Sequence, residues 1–188
     1  MILPAFRRSH HDRNIHALYG AIVAQARSAA FYTVYGVPDT VEGRFELIVL
    51  HLVLVLARLG RPDEGAPGGG RGPTRAFGQQ LFDVFCRDLD DNLREMGVGD
   101  LTVPKRMQAF GEAFYGRTAA YDLALADSRE ALAQALCKNI LNGEGIECAR
   151  GLAYYAAAAI AALSGLDDAA MRRASWRFPH PARVGIQQ

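Results

Sequence analysis

Residues 45–59 constrain the fold more than any other stretch. The run reads LIVLHLVLVLARL from Leu47, and it is apolar almost all round. A helix apolar on every side is either the centre of a bundle or a membrane span. A span needs about 20 consecutive apolar residues, and Arg44, Glu46, His51 and Arg58 interrupt this one. It is therefore predicted as a buried central helix, with His51 a neutral, hydrogen-bonded core histidine. Asp39, with Glu42 three residues on, has the pattern of a capping box and is expected to start it.

The rest of the chain supplies amphipathic helices to cover that centre. From Asn14 the residues Ile15, Leu18, Tyr19, Ile22 and Val23 recur at helical spacing until about Ser28. Residues 29–38, AAFYTVYGVP, hold Gly36 and Pro38 and are expected to form a connection rather than a helix. Phe31 and Tyr32 there either pin a loop to the core or belong to a surface for an apolar peptide. Residues 60–73, GRPDEGAPGGGRGP, read as a flexible connector. They lack the Lys-Ser/Thr of a phosphate loop and follow a helix, not a strand.

Residues 81–121 read as two helices joined by a tight turn. Phe82, Phe85, Leu89, Leu93 and Met96 form one stripe, with Asp83/Arg87 and Asp90/Arg94 as surface pairs at i, i+4. Gly97 is suited to the left-handed conformation that ends a helix. Asp100 or Thr102 can cap the next one, and Pro104 fits its first turn. Val103, Met107, Phe110, Phe114, Tyr121 and Leu125 line that second helix. Another helix is expected from Asp127 or Ser128 to Leu141, stopped by Asn142-Gly143-Glu144-Gly145. An alanine-rich helix follows from Ile146 to Leu163, with a short turn of helix over 167–174.

No bounded run alternates apolar and polar residues, so no strand is predicted. The expected fold is all-α: a single compact, irregular bundle of about six or seven helices. Its domain is placed at 14–170, between a basic flexible N-terminus, 1–13, and a basic C-terminal tail, 171–188. The tail carries Arg172, Arg173, Arg177 and Arg183 with no acid, and Trp176 and Phe178 among them. It is either an arm without a partner or one attracted to ribosomal RNA or anionic lipid.

Composition narrows the chemistry. A net charge of +1 gives no global pull toward nucleic acid or lipid. Cys86, Cys137 and Cys148 are far apart, odd in number and without a Cys-x-x-Cys pair, so they read as free thiols rather than a disulfide framework or zinc site. The His10-His11-Asp12…His16 spacing matches no familiar metal-ligand set. Met1 to Arg13 lacks the apolar segment of a signal peptide. No nucleophile–base motif is present. The one enzymatic alternative is magnesium diphosphate binding by Asp88, Asp91 and Glu95 on one helix face, as in isoprenoid synthases. That reading needs a second acidic motif on a facing helix.

The stretch LREMGVGDLTVPKRM followed by GEAFYGRTAAY resembles the ubiquinol–cytochrome c chaperone family. So do FYTVYGVPDTVEGRFELIVLHLVLVLARL and LYGAIVAQAR upstream, and the resemblance covers roughly residues 15–142. It implies a non-enzymatic assembly factor for complex III that holds newly made cytochrome b, with no cofactor or metal. It also implies a cytoplasmic location in a bacterium, either free or peripheral at the inner membrane, or the matrix side in a mitochondrion, and either a small partner subunit or self-association. A chaperone for a polytopic membrane protein must offer apolar surface, and a helix-in-groove mode suits that task. The candidate contact residues are Phe31, Tyr32, Met96, Asp100, Lys105, Arg106, Met107, Tyr115, Gly116 and Arg117. Met96 and Met107 are adaptable thioethers. Lys105 and Arg106 sit near a helix N-terminus, where cations do not help the helix. Gly116 weakens its helix, which makes sense if a backbone approaches there, and Arg117 can fork onto that neighbour. The neighbour is either another helix of the domain or a bound partner.

Overall fold

A computed structural model describes the backbone of residues 3–60 and 73–184, and the side chains of 13–60 and 74–184. All regular secondary structure among the described residues is helical, with no strand. Six helices have 12 residues or more: α1 (Leu3–Ala26), α3 (Val41–Leu59), α4 (Pro73–Glu95), α5 (Val103–Asp127), α6 (Arg129–Ile140) and α7 (Ile146–Ser164). Three short ones complete the set: α2 (Ala29–Thr33), α8 (Asp168–Arg173) and α9 (Pro181–Val184).

α3 is the axis, as its all-round apolar character requires. It is packed by α1, α4, α6 and α7. Leu47, Val49, Leu50, Leu52, Val53, Leu54 and Val55 are all buried. Each such side chain contributes roughly 1.5–3 kcal/mol relative to exposure. Its start differs from expectation. Thr40, not Asp39, is the N-cap, its side-chain oxygen accepting from the Gly43 amide at 3.1 Å. Asp39 instead pairs with Arg44 at 2.7 Å. Gly43 is required there, because a β-carbon would lie 2.1 Å from the Pro38 carbonyl oxygen.

His51 lies inside α3 and is fully enclosed. Its Nδ1 is 2.6 Å from the Leu47 carbonyl and its Nε2 2.7 Å from the Tyr155 phenol. Burial drives its pKa down to about 4, against the Leu47 hydrogen bond, so the ring is neutral. Both ring nitrogens are engaged within the core, as expected for a hydrogen-bonded core histidine.

α7 packs closely on α6 and crosses α3. Ala149, Ala153, Ala156 and Ala159 are enclosed, so backbones approach where large side chains would hold them apart. α7 is long and apolar enough to cross a membrane, yet its buried face belongs to the bundle. The turn before it uses left-handed Asn142, Gly143 and Gly145, at the expected stop. The turn after α4 is a Schellman motif: Gly97, at φ +79°, donates to Arg94 O, and Val98 donates to Leu93 O.

Several expectations are corrected. α1 begins at Leu3 rather than Asn14, so most of residues 1–13 continue that helix. The side chains of His10, His11 and Asp12 lie outside the described residues, as does nearly all of the 60–73 connector. Residues 29–33 form a helical turn, not a loop, because Phe31 is buried as an anchor and needs its backbone turned inward. The tail does not separate from the domain at 171. Met171 is fully buried, Phe178 packs on His51 and Pro181 is buried. The aromatics that suggested an interacting arm are the residues that fasten it.

Candidate functional site

α5 is the least embedded of the long helices. Of its 25 residues only Val103, Phe114, Tyr121 and Ala124 are buried. It meets α4 and α3 through a cluster of rings. Phe82 and Phe114 lie 4.9 Å apart, Phe45 and Phe110 4.5 Å apart in a T-shape, and Phe85 and Phe110 5.6 Å apart. Phe85 and Phe114 are buried, while Phe45, Phe82 and Phe110 are partly open. Such pairs contribute about 0.5–1.5 kcal/mol beyond their buried area.

A cleft opens on each side of this contact, and Phe114 is the wall between them. One, of about 440 Å³, lies between α3, α4 and α5 and includes Leu56, Gly78, Phe82, Tyr115 and Asp122. The other, also about 440 Å³, is floored by Phe45, Val49 and Phe110 and rimmed by Arg106 and Arg117. Apolar side chains also stand in solvent along α5 and at the turn before it. Tyr115 is 65% exposed and Leu123 75%, while Met96 and Leu101 at the α4–α5 turn are 61% and 91% exposed.

α5 is clamped to α3 by charge. Arg117 donates to both carboxylate oxygens of Glu46, through Nε at 2.6 Å and through Nη2. Burial pushes the Glu46 carboxyl up, opposed by the guanidinium. Beside the pair, Tyr121 is enclosed, and burial raises its phenol.

The candidate residues thus divide. Tyr115 and Arg106 line the clefts, Lys105 is exposed and Met107 half-buried. Met96 is at the exposed turn, and Asp100 pairs with Arg94 rather than capping α5. Phe31 is not surface: it is buried edge-on to His51 at 5.3 Å and Tyr155 at 4.9 Å. Tyr32 is half-buried and donates to Ala26 O at 3.1 Å. No backbone approaches Gly116, since a β-carbon there would meet nothing within 4 Å. It borders a third cleft with Ala113, Ala120, Lys138 and Asn139. The neighbour of Arg117 is internal, namely Glu46.

Sequence reasoning missed Leu101, Leu123 and Phe45. Leu123 could have been found. It is two residues from Tyr121, about 200° round the helix, so a leucine there faces away from the core stripe.

Among the described residues the diphosphate reading finds no second acidic set. Asp88 accepts the Tyr19 phenol at 2.7 Å, Asp90 takes Arg94, and Asp83 takes Gln79. Among the described residues no group of three or more His, Cys, Asp or Glu side chains is gathered to hold a metal ion.

Comparison with known proteins gives three matches. Residues 33–178 match the family described as ubiquinol-cytochrome C chaperone, a span that starts after and ends beyond the 15–142 over which the sequence resembles it. A Xenopus laevis protein, ubiquinol-cytochrome-c reductase complex assembly factor 1, is 25% identical over 125 residues. That match takes in 66% of this chain and 58% of the relative, so the chain spans little more than half its length. The crystal structure of the Cbp3 homolog from Brucella abortus superposes with a TM-score of 0.83 at 36% identity, covering 98% of this chain and 99% of that one.

Proposed function

The chain belongs to the ubiquinol-cytochrome C chaperone family, and from that premise we propose that it is a non-enzymatic assembly factor for the ubiquinol–cytochrome c reductase complex. Its client is newly made cytochrome b. The observation that carries this reading is the state of α5. A 25-residue helix with four buried positions, set between two apolar clefts and exposing Tyr115 and Leu123, is built to be covered by something else.

A transmembrane segment that has not found its partners needs an apolar surface that releases it later. The clefts beside Phe114 offer aromatic and aliphatic contact without deep enclosure, which suits holding rather than trapping. Arg106 rims one side and would meet the polar flanks of such a segment, and exposed Lys105 precedes it in α5. Exchange of this kind needs no nucleotide and no bond chemistry. The chain would act on the membrane face where its client emerges, cytoplasmic in a bacterium or matrix-facing in a mitochondrion.

Gene deletion tests this. Cytochrome b and assembled complex should both fall, and be restored by the intact gene. Normal levels of both in the deletion strain would overturn the assignment.

A further inference from the structure

The arginines of the C-terminal segment are held in place. Residues 175–180 form a non-helical strap between α8 and α9, entered through Ala174 in the left-handed conformation. Gln25 Nε2 donates to the Pro179 carbonyl at 3.0 Å, and the Tyr35 phenol donates to the Pro181 carbonyl at 2.6 Å. The Phe178 ring lies 5.0 Å from that of His51, and Trp176 lies 5.0 Å from Phe178. Trp176 and Phe178 pack inward, while Arg177 between them is exposed.

Arg173 at the end of α8 and Arg183 in α9 are exposed too. None of the three forms an ion pair with a described residue. The nearest acid before them in the sequence, Asp168, is already taken by Arg58 and Thr74. No Asp or Glu follows it to the end of the chain. On a chain of net charge +1, this is a local concentration of unpaired positive charge along a strap fixed to the bundle.

We propose that the exposed, unpaired Arg173, Arg177 and Arg183 form a docking surface for an anionic phospholipid bilayer. Single-stranded nucleic acid is bound by combining charge with exposed aromatic platforms. Here both aromatics of the segment are committed to the interior. A bilayer headgroup layer asks only for outward cations spread along a surface. Each basic residue at such a surface strengthens binding about fivefold, so three together give about a hundredfold. The contact is peripheral and weakened by salt. It stands independently of the client reading, because the strap is a separate feature from the α5 clefts.

The test uses the full chain and vesicles without any client. The chain should sediment with vesicles of phosphatidylcholine mixed with phosphatidylglycerol, not with phosphatidylcholine alone, and should be released by added salt. Arg173→Glu/Arg177→Glu/Arg183→Glu should bind at least about a hundredfold more weakly with its melting curve unchanged. Arg87→Glu, on the outer face of α4, should bind as the parent does. Should the triple variant fold poorly, Arg177→Gln alone should still cost about fivefold. Equal binding to both vesicle types would overturn the proposal. So would a folded triple variant that binds like the parent, including one whose only loss is capture of structured RNA.

Discussion

Tyr155 donates to Nε2 of His51 across 2.7 Å, and that bond fixes the state of the histidine. A carbonyl can only accept, so Nδ1, 2.6 Å from Leu47 O, carries the proton and Nε2 is the acceptor. The Tyr155 oxygen in turn accepts from Gln25 at 2.9 Å, and the same amide reaches Pro179 O. One chain of donors thus links α1, α7 and α3 to the strap, under the rings of Phe31 and Phe178.

This predicts a pH dependence of stability. The folded His51 has a pKa of about 4, whereas an unfolded histidine titrates near 6.5. As pH falls below 6.5 the unfolded chain takes up a proton that the folded chain refuses. Stability should be level above about pH 6.5 and fall by about 3 kcal/mol between there and pH 4. Urea unfolding across that window measures it. His51→Gln should show a shallower fall than the parent; identical slopes would mean that another group titrates.

The Glu46–Arg117 pair predicts a non-additive cycle. Removing Arg117 alone leaves a buried carboxylate unpaired, so Arg117→Met should cost about 3 kcal/mol. Glu46→Leu with Arg117→Met removes both charges and should cost about 1 kcal/mol or less, because an apolar replacement of a buried pair is often neutral. Chemical denaturation of the three variants gives the coupling. Costs that simply add would show that the pair is solvated and does not hold α5.

How much was legible follows from where the information sits. The central helix was readable because LIVLHLVLVLARL admits so few environments, and so was its neutral histidine. The caps and turns around Gly97 and Asn142 were readable because they are local. The strap was not. Trp176 and Phe178 between arginines look the same whether they face solvent or a cavity, and only the distant Gln25, Tyr35 and His51 decide it. Gly116 misled for a similar reason. A glycine in a helix signals either close approach or nothing at all, and only the neighbouring element can say which. Phe31 was open between core anchor and surface residue, because a ring beside a turn can face either way, and α3 and α7 decide it by enclosing the ring.

Open space at Gly116 makes a directional prediction. With nothing within 4 Å of a β-carbon, Gly116→Ala should stabilise the protein by about 0.5–1 kcal/mol through helix propensity. Gly116→Leu should also fold. A melting temperature that drops in the alanine variant would mean that a neighbour does approach the position.

The outer face of α5 should matter for capture and not for folding. Tyr115 and Leu123 are eight residues apart, which places them about 80° apart on the helix, on one side. Both are largely exposed, so Tyr115→Asp with Leu123→Asp removes little buried area from the folded chain, and stability should stay within about 1 kcal/mol. Against an apolar client the effect is different. Each position loses the roughly 1.5–3 kcal/mol that covering such a side chain provides, and each carboxylate would have to shed water on contact. Recovery of cytochrome b in a pull-down from detergent extract should fall at least tenfold, while the melting curve is kept. Capture at the parent level by the folded double variant would remove α5 as the client surface. Loss of the fold would show that these side chains pack more than their exposure indicates.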